Sequence, residues 1–177
     1  LTIINDILDY SKIESNNVIL EQEQFSLSEV LDSVKYDMET LVISKGIEFL
    51  IEKDDSFIDY WVGDLVRVKQ VLLNLVSNAV KFTNAGGVKI SVSSHREGQQ
   101  SAFLVKVIDS GIGMNEEAVS KIFERFTQAD TSTTRKYGGT GLGMSIALSL
   151  IKMMDGNIEI TSSEGVGTKV EVTLPLK

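Results

Sequence analysis

Between Leu65 and about Thr83, apolar residues recur at spacings of four and three, at Val68, Leu72, Leu75, Ala79 and Phe82. That spacing commits the segment to a helix with one buried stripe, and Asp64 stands where an N-cap belongs. Two runs follow, Val88 to Ser94 and Ala102 to Asp109, on either side of the polar turn Arg96-Glu-Gly-Gln-Gln100. They read as a hairpin. The same alternation recurs along the chain. Val18 to Phe25 suggests a short edge strand, and a helix then begins at a Ser26/Glu29 capping box with Phe25 placed to staple onto Val30. That helix runs to about Ser44 and is stopped by Gly46. Ile47 to Glu52 and Tyr60 to Val62 read as strands. Asn115-Glu-Glu117 opens a short helix through Phe123, a longer one spans Gly143 to Met154, and Gly156 ends it. Asn157 to Thr161 and Lys169 to Leu176 close the chain as a strand pair. Helices interspersed with hairpins predict an α+β fold, a two-layer α/β sandwich whose mixed, largely antiparallel sheet is covered on one face by about three helices.

The 177 residues, 42% of them hydrophobic, suffice for one domain with a proper core. A net charge of −8 argues against nucleic acid or an anionic membrane as partner, since either surface repels such a chain. There are no cysteines, hence neither disulfides nor thiolate metal sites. No apolar run approaches a membrane span and no signal peptide is visible. The first residues, Leu1 to Ile13, show helical spacing that is already under way. They read either as the end of a helix from a bundle or coiled coil, which makes the chain a piece of a longer protein, or as an ordinary N-terminal helix.

Three segments carry chemistry. Asn74, Asn78 and Lys81 recur at four and three on a stripe adjoining the buried one. Two carboxamides and an ammonium could hold a metal through amide oxygens and neutralise phosphate, although such residues alone read better as a solvated helix face. The strand ending at Asp109 runs into Ser-Gly111-Ile112-Gly113-Met114. There a carboxylate could accept from an exocyclic amine such as adenine's, or close an Asx turn. Gly138-Gly139-Thr140-Gly141-Leu142-Gly143 precedes a helix, so its amides can face an anion. It lacks the Lys-Ser or Lys-Thr of a P-loop and the preceding strand of a dinucleotide fingerprint, and it reads as the hinge of a lid.

Taken in order, Gln70 to Thr83, Asp109 to Met114, Ile122-Phe123-Glu-Arg-Phe126 and Gly139 to Gly143 closely resemble the asparagine, first glycine, phenylalanine and second glycine boxes of the catalytic, ATP-binding domain of sensor histidine kinases. The resemblance covers about residues 18–176 and implies the ATP-binding sandwich with a mobile lid known as the Bergerat fold. It divides the chain into residues 1–14, which look like the end of the second dimerisation and phosphoacceptor helix, and residues 15–177, the catalytic domain. By that resemblance Asn78 binds the Mg2+ that bridges the ATP phosphates, with Asn74 beside it and Lys81 near the phosphate oxygens. Phe82 lines the nucleoside pocket and Asp109 pairs with the adenine amino group. Gly111 and Gly113 let the base approach, walled by Ile112, Met114 and Leu142, and Thr168 lies near adenine. Phe123 and Phe126 anchor the lid, on which Arg125, Arg135 and Lys136 are candidate phosphate contacts and Gly139, Thr140, Gly141 and Gly143 form the rim.

The family's phosphoacceptor motif, a histidine followed by an acidic residue and a nearby proline, is absent. The single histidine is His95 beside the hairpin turn, and the single proline is Pro175. The resemblance therefore implies an acceptor on upstream helices outside this chain, and a response regulator receiver domain later in the pathway. It also implies a cytoplasmic domain, monomeric as this fragment, from a homodimeric, membrane-anchored parent. Two other functions were weighed: the superfamily's hydrolytic ATPases, which place a glutamate one helical turn before the magnesium asparagine where this chain has Asn74, and a non-catalytic ATP sensor. A neutral amide cannot take a proton from water, which disfavours hydrolysis.

Overall fold

The structure is a computed structural model that describes residues 19–97, 100–124 and 142–177. The expected helix end over Leu1 to Glu14 lies outside the described residues, as do residues 125–141 of the expected lid. In order, the described elements are β1 (Glu23–Ser26), α1 (Leu27–Lys45), β2 (Glu48–Lys53), β3 (Tyr60–Gly63), α2 (Leu65–Phe82), β4 (Gly87–Glu97), β5 (Gln100–Asp109), α3 (Glu116–Glu124), α4 (Leu142–Met153), β6 (Asn157–Ser163) and β7 (Gly167–Pro175).

Five strands form one sheet in the order β2-β4-β5-β7-β6. Every neighbouring pair is antiparallel except β2 with β4, whose parallel pairing follows from the intervening α2 crossover. Two expectations shift here. The first strand is shorter than the predicted Val18 to Phe25: residues 19–22 are not strand, and the Glu21 amide donates to Asp64 Oδ2 at 3.2 Å instead of to a ladder partner. Tyr60 to Gly63 does not join the main sheet. It pairs with β1 in a separate two-stranded sheet, fastened to the main core by an edge-on contact of Trp61 with Phe103, ring centroids 5.5 Å apart.

Alternation along the strands gives the main sheet two unlike faces. Val88, Ile90, Val92, Phe103, Val105, Val107, Val170, Val172 and Leu174 are buried on the inner one. The outer face carries ion pairs: Lys89 with Glu52 at 2.6 Å, and Glu171 between Lys106 and Lys169 at 2.9 and 2.7 Å. Against the inner face, α2 packs between α1 and α4. Its buried set is accordingly wider than the predicted stripe, with Val71, Val76 and Val80 added to Val68, Leu72, Leu75 and Ala79, while Phe82 is only half-buried. Full burial of side chains such as Leu72 and Leu75 stabilises the sandwich by about 1.5–3 kcal/mol each.

The caps fix where α1 and α2 begin and end. Ser26 caps α1 by accepting from the Glu29 amide at 3.2 Å. Asp59 shares that end, accepting from the Ser26 hydroxyl and from the Ser28 amide at 2.8 Å. Asp64, buried, caps α2 by accepting from the Arg67 amide at 3.0 Å. At the far end of α2, Lys45 Nζ donates to the carbonyls of Val80 and Lys81, both at 2.7 Å. That ammonium complements the negative helix C-terminus and ties α1 to the residues beside Lys81 and Phe82.

Candidate nucleotide site

The site has a floor at the end of the sheet and a wall on α2. Asp109 ends β5, the strand bordered by β4 on one side and β7 on the other. Its Oδ1 accepts from the Gly111 amide at 2.8 Å and the Thr168 amide at 3.3 Å. No other hydrogen bond reaches this carboxylate among the described residues, which leaves Oδ2 for a ligand donor. Burial pushes the Asp109 carboxyl above the ordinary aspartate range, and the two amide bonds pull it only part of the way back. The Asx turn and the amine acceptor, alternatives in sequence, are compatible because one carboxylate has an oxygen for each.

The segment after Asp109 is sewn to three neighbours. The Ile112 amide donates to the Phe82 carbonyl at 3.2 Å, which docks the floor on the end of α2. The Ile112 carbonyl accepts from the Gly165 amide at 2.7 Å, and the Met114 amide donates to Ser162 Oγ at 2.8 Å. Gly113 has φ of 63°, and a Cβ there would collide with the Ser163 carbonyl. A Cβ at Gly111 would collide with the Phe82 carbonyl. Close approach of the protein's own backbone thus already demands glycine at both positions. Ile112 remains 42% exposed, available to a flat ligand.

On α2, Asn74, Asn78 and Lys81 are half-buried. Asn74 Nδ2 is buried without a hydrogen-bond partner among the described residues, and the carboxamide lies against Gly143 at the start of α4, where a Cβ would sit 3.5 Å from Oδ1. The Asn78 side chain receives no hydrogen bond from the described residues. Lys81 Nζ stands 5.1 Å from the centre of the Phe82 ring. No group of three or more His, Asp or Glu side chains able to hold a metal occurs among the described residues. The carboxamides fit Mg2+ nonetheless, because that ion commonly takes one or two protein oxygens and completes its shell with phosphate and water. A cavity of about 520 Å³ opens at this end of the sheet, lined by Asp109, Ser162 and Thr168 of the floor together with Leu50, Lys89 and Val166, and no residue of α2 lines it.

Phe82, Asp109, Gly111, Ile112, Gly113, Met114 and Thr168 thus form one bonded cluster, and Asn74 meets Gly143. Arg125, Phe126, Arg135, Lys136, Gly138, Gly139, Thr140 and Gly141 lie outside the described residues, as do the side chains of Phe123 and Leu142. His95 is exposed, opposite Ala102 in the hairpin. Sequence reasoning missed Lys45, Asp59 and Ser162, whose contacts with α2, the start of α1 and Met114 span 35 and 36, 31 and 33, and 48 residues of chain.

A layered sandwich with a carboxylate-and-glycine floor facing a helix of carboxamides defines a nucleotide-binding domain. The chain belongs to the histidine kinase-, DNA gyrase B- and HSP90-like ATPase family, whose model matches residues 63–177. It is 34% identical over 177 residues to the autoinducer 2 sensor kinase/phosphatase LuxQ of Vibrio cholerae, aligning with all of this chain and 21% of LuxQ. It is 41% identical over 183 residues to hybrid signal transduction histidine kinase A of Dictyostelium discoideum, covering 99% of this chain and 8% of that protein. The chain therefore spans only about a fifth or less of these relatives. Among solved structures it is similar to full-length ShkA in complex with AMPPNP, with a TM-score of 0.81, 30% identity and 99% and 35% of the two chains covered. The catalytic domain of histidine kinase ThkA follows the same fold, with a TM-score of 0.66, 31% identity and coverage of 88% and 95%. No helix among the described residues is long and apolar enough to cross a membrane.

Proposed function

We propose that this chain is the ATP-binding catalytic domain of a sensor histidine kinase, passing the ATP γ-phosphate to a histidine on a dimerisation domain outside residues 1–177. The observation that carries this reading is Asn74: half-buried on α2 against Gly143, with Nδ2 lacking a partner among the described residues, it is a carboxamide where a hydrolytic relative needs a carboxylate. The floor binds the base through Asp109, with Ile112 and Met114 against its faces. Asn78 would hold Mg2+ through its carboxamide oxygen, with Asn74 beside it, and Lys81 neutralises phosphate oxygen charge. Bound Mg2+ would supply charge neutralisation across the phosphates. Because α2 carries no carboxylate or imidazole, the proton of the attacking imidazole leaves to an acidic residue on the acceptor side. By the same reading, the parent protein is a membrane-anchored homodimer that feeds a response regulator receiver domain.

The test mixes this chain, MgATP and a separately supplied helix pair carrying an acceptor histidine. Acid-labile phosphate should appear on the helix pair, with little free ADP formed in its absence. Steady ADP release without phosphohistidine would replace the kinase reading with a hydrolase.

A further inference from the structure

Asp109, Thr168 and Ser162 lie directly opposite one another across β5, β7 and β6, so their side chains leave the sheet on one face as a single row. Ser162 is the junction of that row. The Met114 amide donates to its Oγ at 2.8 Å, the Gly167 carbonyl lies 3.0 Å away and Thr168 Oγ1 2.8 Å away. A serine hydroxyl has one proton and two lone pairs. The carbonyl can only accept, so the Ser162 proton goes to Gly167, and the Met114 amide occupies one lone pair. Thr168 then donates into the other. With its own proton committed, Thr168 Oγ1 offers only lone pairs to a ligand, as the neighbouring Asp109 Oδ2 does.

We propose that Ser162 is a positioning residue for base selection: by fixing Thr168 as an acceptor, it sets a row that takes a purine with a proton-donating 6-amino group and disfavours one with a 6-oxo group. This rests on the nucleotide reading given above. Ser162 touches no ligand itself, and its effect passes through the Thr168 hydroxyl. Without it, that hydroxyl can rotate and donate.

The experiment titrates ATP and inosine triphosphate, which differ at the 6-position, into the whole chain and its Ser162→Ala, Ser162→Thr and Thr168→Val variants, with thermal midpoints measured alongside. Wild type should prefer ATP. Ser162→Ala should narrow that preference roughly tenfold, about the worth of one hydrogen bond. Ser162→Thr, which keeps the hydroxyl, should retain the preference. Ser162→Ala should add little when Thr168 is already valine, because the two act as a unit. An equal loss for both nucleotides in Ser162→Ala would reduce Ser162 to a packing residue and overturn the inference, as would an unchanged preference. Failure of the wild-type chain to bind either nucleotide would instead overturn the nucleotide reading, and this inference with it.

Discussion

In the floor, Asp109 Oδ1 is held by two backbone amides, and Ile112, Met114 and Ser162 are bonded before any ligand arrives. On α2, Asn74 Nδ2 is buried with no partner among the described residues and Asn78 receives no bond from them. Both regions are polar and half-buried, yet the floor is held by bonds within the protein while the two carboxamides of α2 have none among the described residues. Bonded groups are already oriented, so the base end of the site spends little on ordering when a ligand binds. A buried amide N–H without a partner costs free energy that an acceptor, such as a ligand oxygen or a water, would return. On the proposed reading, the base end is therefore the pre-ordered part of the site and the α2 end the part that binding orders.

The largest break in this contrast should come from Gly113→Ala. Both the positive φ and the Ser163 carbonyl oppose a Cβ, and the substitution should cost at least about 2 kcal/mol in thermal unfolding and remove ATP binding. Retained binding at an unshifted midpoint would show that the floor is not a fixed piece. Asp109→Asn comes next, weakening ATP by about 1–3 kcal/mol through loss of a charge-assisted hydrogen bond, measured by calorimetric titration. Unchanged affinity would remove Asp109 from the base-reading role. Its pH profile carries a sign. Burial raises the folded carboxyl's pKa, so it takes up its proton at a higher pH than an exposed aspartate does. ATP affinity should fall as pH drops through that raised value, and the step should be missing in Asp109→Asn. The smallest expected effect on stability is that of Asn74→Ala, which removes an unsatisfied polar group and should leave the thermal midpoint within about 0.5 kcal/mol of wild type. Phosphohistidine formation should nevertheless drop. A large loss of stability instead would mean that Asn74 holds α4, not a ligand.

Periodicity made most of the fold legible. The helix over Leu65 to Thr83, the hairpin and the Ser26 and Asp64 caps are local signals, and the structure carries them as α2, β4 with β5 and the two N-caps. What local patterns do not encode is partnership. Nothing in Tyr60 to Val62 says that it pairs with β1 apart from the main sheet, and nothing in Val71, Val76 and Val80 says that α2 is flanked on two sides. The site follows the same rule. Asp109, Gly111, Gly113 and Thr168 stand out by motif, and the structure gathers them. Ser162, in an ordinary strand of alternating burial, becomes visible only when β6 is laid beside β7.

The place of β5 in the sheet carries a last consequence. From Ala102 to Asp109 the strand is laddered to β4 on one side and to β7 on the other. To displace Asp109, the chain would have to break its pairings with Val88 on one side and Thr168 on the other together, so it frays less readily than the end of an edge strand. The carboxylate proposed to read the base should thus be among the later groups to move as the protein is heated, and nucleotide binding, if Asp109 carries it, should persist close to the unfolding midpoint.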